Sequence, residues 1–189
     1  PFSVLRYYLA AMKAAEHSSP APPKAPPVLL AALRPRMLEL AAESADGAHP
    51  YFVPVEHTAR ARHIMGRDAI LAPELAVVLE SDPDTARRIA RSHTGSFYLS
   101  APNYVENLRW LGYGDDDFVD GGSDRLVDAV VAWGDDAAIA DRVRAHLDAG
   151  ADHVAIQVIT GQPAFSTPGH LQHESVLGVL RRLEIGRAH

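Results

Sequence analysis

Short, unbroken apolar runs alternate along this chain with stretches of helical periodicity, and few folds tolerate that rhythm. The runs fall at residues 28–33, 48–53, 74–80 and 153–159. A run without polar alternation fits a strand buried on both faces, as in a parallel sheet. Between the runs the pattern is helical. Pro35 opens one such stretch, which continues through Met37, Leu38, Leu40, Ala41 and Ala45 to the Asp46-Gly47 stop. Further helices are predicted over 54–65, from Asp82-Pro83 to about residue 91, and over 135–149 before Gly150. Strands alternating with helices of this length imply βαβ units with right-handed crossovers. The spacing predicts a parallel α/β protein of about four strands and leaves barrel and open sheet both possible.

Three segments depart from the rhythm. Val4, Leu5, Tyr8, Leu9 and Met12 recur at helical spacing, so roughly the first fifteen residues read as an amphipathic helix. Residues 18–27 hold five prolines and read as an extended linker. Residues 96–133 contain Pro102-Asn103-Tyr104, a short helix to Leu111, an acidic turn at 114–117 and a helical run from Ser123. After the last run comes a loop rich in Gly, Pro, Ser and Thr, then a helix near 174–182.

Composition narrows the function classes. The 189 residues suffice for one domain with a sizeable core, and 47% of them are hydrophobic. A net charge of −6 with no basic stripe argues against a nucleic-acid partner. There is no cysteine, hence no disulfide, thiolate zinc site or cysteine nucleophile, and a cytoplasmic setting is expected. No apolar run approaches the roughly 18 residues of a membrane span, so no membrane partner is expected. No signal-peptide pattern opens the chain. The start at Pro1, with helical pattern already present by Val4, suggests a truncated or processed chain.

Five phrases occur in order: VLLAALRPRMLELAAESADGAHPY, VPVEHTARARHIMG, PNYVENLRWLGY, GGSDRLVDAVVAWGD and AGADHVAIQVI. In this order and spacing they resemble the C-terminal half of luciferase-like monooxygenases. The nearest subgroup is that of probable F-420-dependent oxidoreductases. The resemblance implies an α/β fold that is the C-terminal half of a (β/α)8 TIM barrel, a single half-barrel domain over residues 1–189. The four runs would be strands five to eight. Residues 1–27 would be a leading helix and Pro-rich linker, and 96–133 an insertion before the last strand. A full barrel needs about 250 residues, so strands one to four would be absent. Two open strand edges would then favour a homo-oligomer, or pairing with the missing N-terminal half. The implied cofactor is coenzyme F-420 (a deazaflavin) or FMN, with hydride moving to or from a small organic substrate. The rival reading is a non-catalytic cofactor-binding or assembly module, or an inactive fragment; a third is an unrelated open α/β domain.

In (β/α)8 enzymes the site lies at the C-terminal ends of the strands. The resemblance puts the cofactor phosphate near Tyr51 and the loop that follows it, Pro54 to Thr58, with Thr58 and free backbone N–H groups as donors. His57 adds a charge-assisted contact when protonated. Glu56 opposes this, because a carboxylate repels phosphate. The alternative makes Glu56 and Thr58 ordinary first-turn residues and His57 a solvated side chain. Small residues at Ala31 and Ala32 would let the ring approach the backbone, or are small because a barrel interior is crowded. Arg34 stands where the family often has Gly. His49 and Tyr51 share a strand face and point toward the cofactor if that face is interior; a satisfied core histidine is the commoner case. His153 and Gln157 pose the same question. Asn103, Tyr104 and Arg109 are expected to serve local packing. His170, His173 and Glu174 do not complete a metal geometry, and Gly121-Gly122 is not a dinucleotide fingerprint.

Overall fold

One extended run, residues 70–78, organises the sheets. The computed structural model describes residues 2–16, 20 and 22–160. In chain order the elements are α1 (Phe2–Ala14), β1 (Leu29–Leu30), α2 (Pro35–Ser44), β2 (Gly47–Ala48), α3 (Val55–Met65), β3 (Ile70–Leu71) and β4 (Glu74–Val78). Then follow α4 (Pro83–Thr94), α5 (Pro102–Leu111), α6 (Asp124–Val130), β5 (Val131–Trp133), α7 (Asp136–Asp148) and β6 (Ala155–Val158). Every strand pair is parallel, in the orders β1-β2-β3 and β5-β4-β6.

Backbone hydrogen bonds show how β3 and β4 join the two sheets. The N–H groups of Ile70, Ala72 and Glu74 donate to the carbonyls of Asp46, Ala48 and Pro50 along β2. The carbonyls of Leu71, Pro73 and Val77 accept from Asp152, Ala155 and Ile159 on the opposite edge. After Pro50 the chain leaves β2, and β5 takes over that edge, pairing Ala76–Val78 with Val131–Trp133. The alternation is unbroken, so even-numbered and odd-numbered side chains of this run point to opposite faces.

The first face lies under helices. Leu30, Ala48 and Leu71 pack with Leu38, Leu40 and Ala61 of α2 and α3, and with Leu9 of α1. Leu75 and Val77 pack with Ile139 and Val143 of α7. The second face carries Leu29, Ala31, His49, Tyr51, Glu74, Ala76, Val78 and Gln157. Its upper part is covered by α4, α5 and α6 through Ala86, Ala90, Leu108, Leu126 and Val127, which pack on Phe52, Ala76 and Val78. The helices start where their caps allow. Asp82 and Asp135 accept the N–H of Thr85 and Ala138, each at 2.9 Å, and Pro35, Pro83 and Pro102 occupy first turns.

The α/β class with parallel sheets agrees with the pattern, but the strands differ in extent. Six short strands stand among the described residues where four runs were expected. The first two runs pair only over Leu29–Leu30 and Gly47–Ala48. Phe52 ends the second by entering left-handed backbone at φ 55°. The third begins at Ile70 because Pro73 does not break it. The proline's missing N–H falls on the edge ahead of the first residue of β6. The helical run from Ser123 stops at Val130, and Val131–Trp133 become β5, where β-branched residues favour strand. The helix expected near 174–182 lies outside the described residues.

Gly47 is required by close approach. A Cβ built on it would lie 1.9 Å from the Ile70 carbonyl oxygen, a backbone atom that cannot swing away. Gly47→Ala is therefore expected to destabilise the chain by about 1–3 kcal/mol or more, read as a lower midpoint in urea unfolding. An unchanged midpoint would contradict the β2–β3 packing.

Candidate functional site

The second face brings an acid, a histidine and several phenols together just after β2 and at the start of β4. Glu74 is only 5% exposed. Its Oε2 accepts from the Phe52 N–H at 3.4 Å, while Oε1 has no hydrogen-bond partner among the described residues. Burial raises its pKa to about 7, opposed by the Phe52 N–H. The left-handed Phe52 backbone costs on the order of 1 kcal/mol. It is held by the Glu74 contact and by its ring, which stacks on Tyr98 at 4.3 Å and meets Tyr104 edge-on at 5.9 Å.

The insertion thus closes over Glu74 with aromatic rings. Tyr98 and Tyr104 also contact each other at 4.8 Å. The Tyr98 hydroxyl is pushed up to about 12, first by burial and then by Glu74. His93 of α4 lies 5.0 Å from Tyr98, and burial lowers its pKa. On β2, His49 Nδ1 donates to the Ala72 carbonyl, and its Nε2 lies 3.1 Å from the Tyr51 hydroxyl. A carbonyl only accepts, so Nδ1 carries the proton and Nε2 accepts from Tyr51.

Not all of the expected site residues meet there. Ala31, His49, Tyr51 and Gln157 share the second face, Ala31 and Gln157 exposed and the other two half-buried. Ala32 is on the first face, buried against α2. His153 is exposed. Pro54 is buried, and Glu56 is exposed in the first turn of α3. His57 and Thr58 are fully buried, so His57 is not a solvated side chain. His57 Nε2 donates to the Leu33 carbonyl at 2.7 Å, and Thr58 Oγ1 lies 2.9 Å from His146 Nδ1. Burial lowers His57 and His146 each to about 4, leaving both neutral at pH 7. These side chains lock α3 to the β1 loop and to α7, and a phosphate at the start of α3 would be left with backbone donors. Arg34 is exposed, as are Asn103 and Arg109, the latter paired with Asp115. Tyr104 packs on Phe52, as its packing role anticipated.

Glu74, Phe52, His93 and Tyr98 escaped sequence reasoning. The one signal for Glu74 was a charged residue at the head of an apolar strand. His170, His173 and Glu174 lie outside the described residues. Among those described, no cluster of three or more His, Asp or Glu side chains is placed to hold a metal ion, and no helix is long and apolar enough to cross a membrane.

The buried titratable groups act on stability with opposite signs. His57 and His146 bind protons more weakly in the folded chain, so their contribution is complete above about pH 6.5 and is lost toward pH 4. Glu74 binds its proton more tightly when folded, so its contribution is complete below about pH 4.5 and is lost as pH rises through about 7. Thermal unfolding of Glu74→Gln against wild type is therefore expected to show a gap that widens from pH 4.5 to pH 8 in favour of the variant. A gap independent of pH would contradict a buried acid at this position.

The family model described as luciferase-like monooxygenase matches residues 7–153. Among solved structures, the coenzyme F-420-dependent tetrahydromethanopterin reductase from Methanopyrus kandleri is similar at 19% identity and a TM-score of 0.50, over 67% of this chain and 43% of that one. An F-420-dependent secondary alcohol dehydrogenase in complex with an F-420–acetone adduct is similar at 12% identity and a TM-score of 0.45, over 66% of this chain and 40% of that one. The chain spans about two fifths of the length of either structure. No curated protein matches it. The family match covers well over half of the chain, in the same parallel α/β architecture, and the chain belongs to the luciferase-like monooxygenase family.

Proposed function

We propose that the chain forms part of an F-420-type oxidoreductase, with the deazaflavin lying against the second face of the sheet and a small organic substrate beside it. The observation that carries this reading is the character of that face. Ala31 and Ala155 leave its uncovered part low, while His49, Tyr51 and Gln157 supply polar edges and Glu74 Oε1 lacks a partner among the described residues. A planar ring with carbonyl and N–H edges fits such a surface. The bound cofactor would supply hydride transfer. Ala31 sets how close the ring lies, Tyr51 and His49 orient its edge, and the Phe52–Tyr98–Tyr104 cap keeps water from the upper end. The F-420 dependence of the similar reductase favours deazaflavin over FMN.

The sheet edges support a partner. Among the described residues no strand lies beside the outer edge of β1 or of β6. Helix α1 also exposes Val4, Tyr7 and Tyr8 along one stripe, at 69%, 76% and 61%. In a complete barrel strands one to four would cover these edges. In isolation the chain is expected to pair with a second copy, giving twice the chain mass by light scattering; a stable monomer would contradict this.

Binding tests the reading directly. Coenzyme F-420 is expected to bind at micromolar concentration by fluorescence, more tightly than FMN. Ala31→Trp, an exposed change, is expected to weaken binding by at least about tenfold, or ~1.4 kcal/mol. A folded chain that binds neither cofactor would favour a non-catalytic module.

A further inference from the structure

The second face carries a short chain of hydrogen bonds whose direction is fixed at its root. The root is the Ala72 carbonyl. A backbone carbonyl has no proton to give, so His49 Nδ1 donates to it. A neutral imidazole has a single ring proton, which leaves Nε2 a bare lone pair. Nε2 lies 3.1 Å from the Tyr51 hydroxyl and accepts its hydrogen bond. The two rings also meet edge-on, with centroids 4.6 Å apart at 69°, so packing holds the pair in this arrangement.

The consequence falls on the Tyr51 oxygen. Its one proton is turned toward His49, so it offers a ligand only lone pairs. Among the described residues no other group hydrogen-bonds to that hydroxyl. Glu74 does not compete for it, since its carboxyl is bonded to the Phe52 N–H alone. On the other side of the pair, the β1–β2 register continued by one residue sets exposed Ala31 beside half-buried His49. A side chain that small leaves room for a ligand against the two rings.

We propose that Tyr51 is a specificity residue of this site, a hydrogen-bond acceptor that receives a ligand presenting an O–H or N–H group and disfavours one presenting a carbonyl oxygen. The proposal rests on the oxidoreductase reading above. His49 is the positioning residue that sets the polarity. A carbonyl ligand is served only by turning the Tyr51 hydroxyl outward, which breaks its bond to His49 and strands Nε2 at a half-buried position. A donor ligand extends the chain and breaks nothing. Two ligands share this chemistry: the N–H edge of the deazaflavin and the hydroxyl of an organic substrate.

Nitrogen-15 NMR of the histidine-labelled chain tests the polarity without a ligand. In mildly alkaline solution the His49 signals, identified by their loss in His49→Phe, are expected to show a protonated Nδ1 and a bare Nε2. Tyr51→Phe is expected to shift the Nε2 signal. A protonated Nε2, or an Nε2 signal unmoved by Tyr51→Phe, would overturn the proposal. Binding of 1-phenylethanol and acetophenone then compares a matched alcohol and ketone, whose ring suits the nearby Phe52, Tyr98 and Tyr104. With a substrate hydroxyl as the donor, the alcohol binds about tenfold tighter, Tyr51→Phe and His49→Phe each bring the ratio to about one, and Tyr51→Phe keeps coenzyme F-420 affinity within about twofold. With the ring N–H as the donor, Tyr51→Phe weakens coenzyme F-420 about tenfold. A ketone bound as tightly as the alcohol, together with unchanged coenzyme F-420 affinity in Tyr51→Phe, would overturn the proposal and leave the oxidoreductase reading standing. A wild-type chain that prefers the alcohol but does not bind coenzyme F-420 would sustain the Tyr51 acceptor and overturn the oxidoreductase reading. Binding of none of the three would overturn both.

Discussion

The run from Ile70 to Val78 is hydrogen-bonded along both edges, and the rest of the molecule is arranged around it. β2 and then β5 occupy one edge, and β6 the other. Because its alternation is unbroken, it sorts side chains into one face packed under α2, α3 and α7 and a second that carries Glu74 beneath α4, α5 and α6. Leu71, Leu75 and Val77 anchor the helices. Glu74 faces the other way, where burial without a countercharge makes it the most perturbed acid among the described residues.

The helix layer is tied to this strand by polar clasps as well as by packing. Arg62 of α3 donates to the carbonyls of Gly150, Gly66 and Ala69 and pairs with Asp152 at 2.6 Å. Asp152 in turn accepts the Leu71 N–H at 2.8 Å. The pair is partly exposed, so its ionic contribution is small; its value lies in joining α3, β3 and the turn before β6 at one point. His57 and His146 make a second, fully buried join. With the helix side rigid, the opposite face can hold a strained Phe52 and a buried acid, features that cost stability locally and persist where the surroundings fix them.

Much of this was legible in the amino-acid order. Apolar runs marked the parallel strands, and Pro35, Asp82 and Asp135 marked helix starts. The placement of Ala31, His49, Tyr51 and Gln157 on one face follows from period-two alternation once register is known. Other features depend on contacts that no local pattern encodes. His57 and Thr58 sit in a first helical turn that looks solvated, yet α7 and the β1 loop bury them. Glu74 reads as a strand-end charge because the residues that cover it, Tyr98 and Tyr104, come more than twenty positions later. Val131–Trp133 reads as helix because its strand character comes from an edge that β2 vacates.

The central proposal is that a planar deazaflavin binds on the second face of this sheet. Hydrogen–deuterium exchange of the chain with and without coenzyme F-420 tests it most directly. The account predicts slowed exchange in the backbone of residues 29–32, 49–52 and 155–159, with little change in α2 and α7. Protection confined to the first face, under α2, α3 and α7, or absent at a saturating concentration of the cofactor, would contradict it.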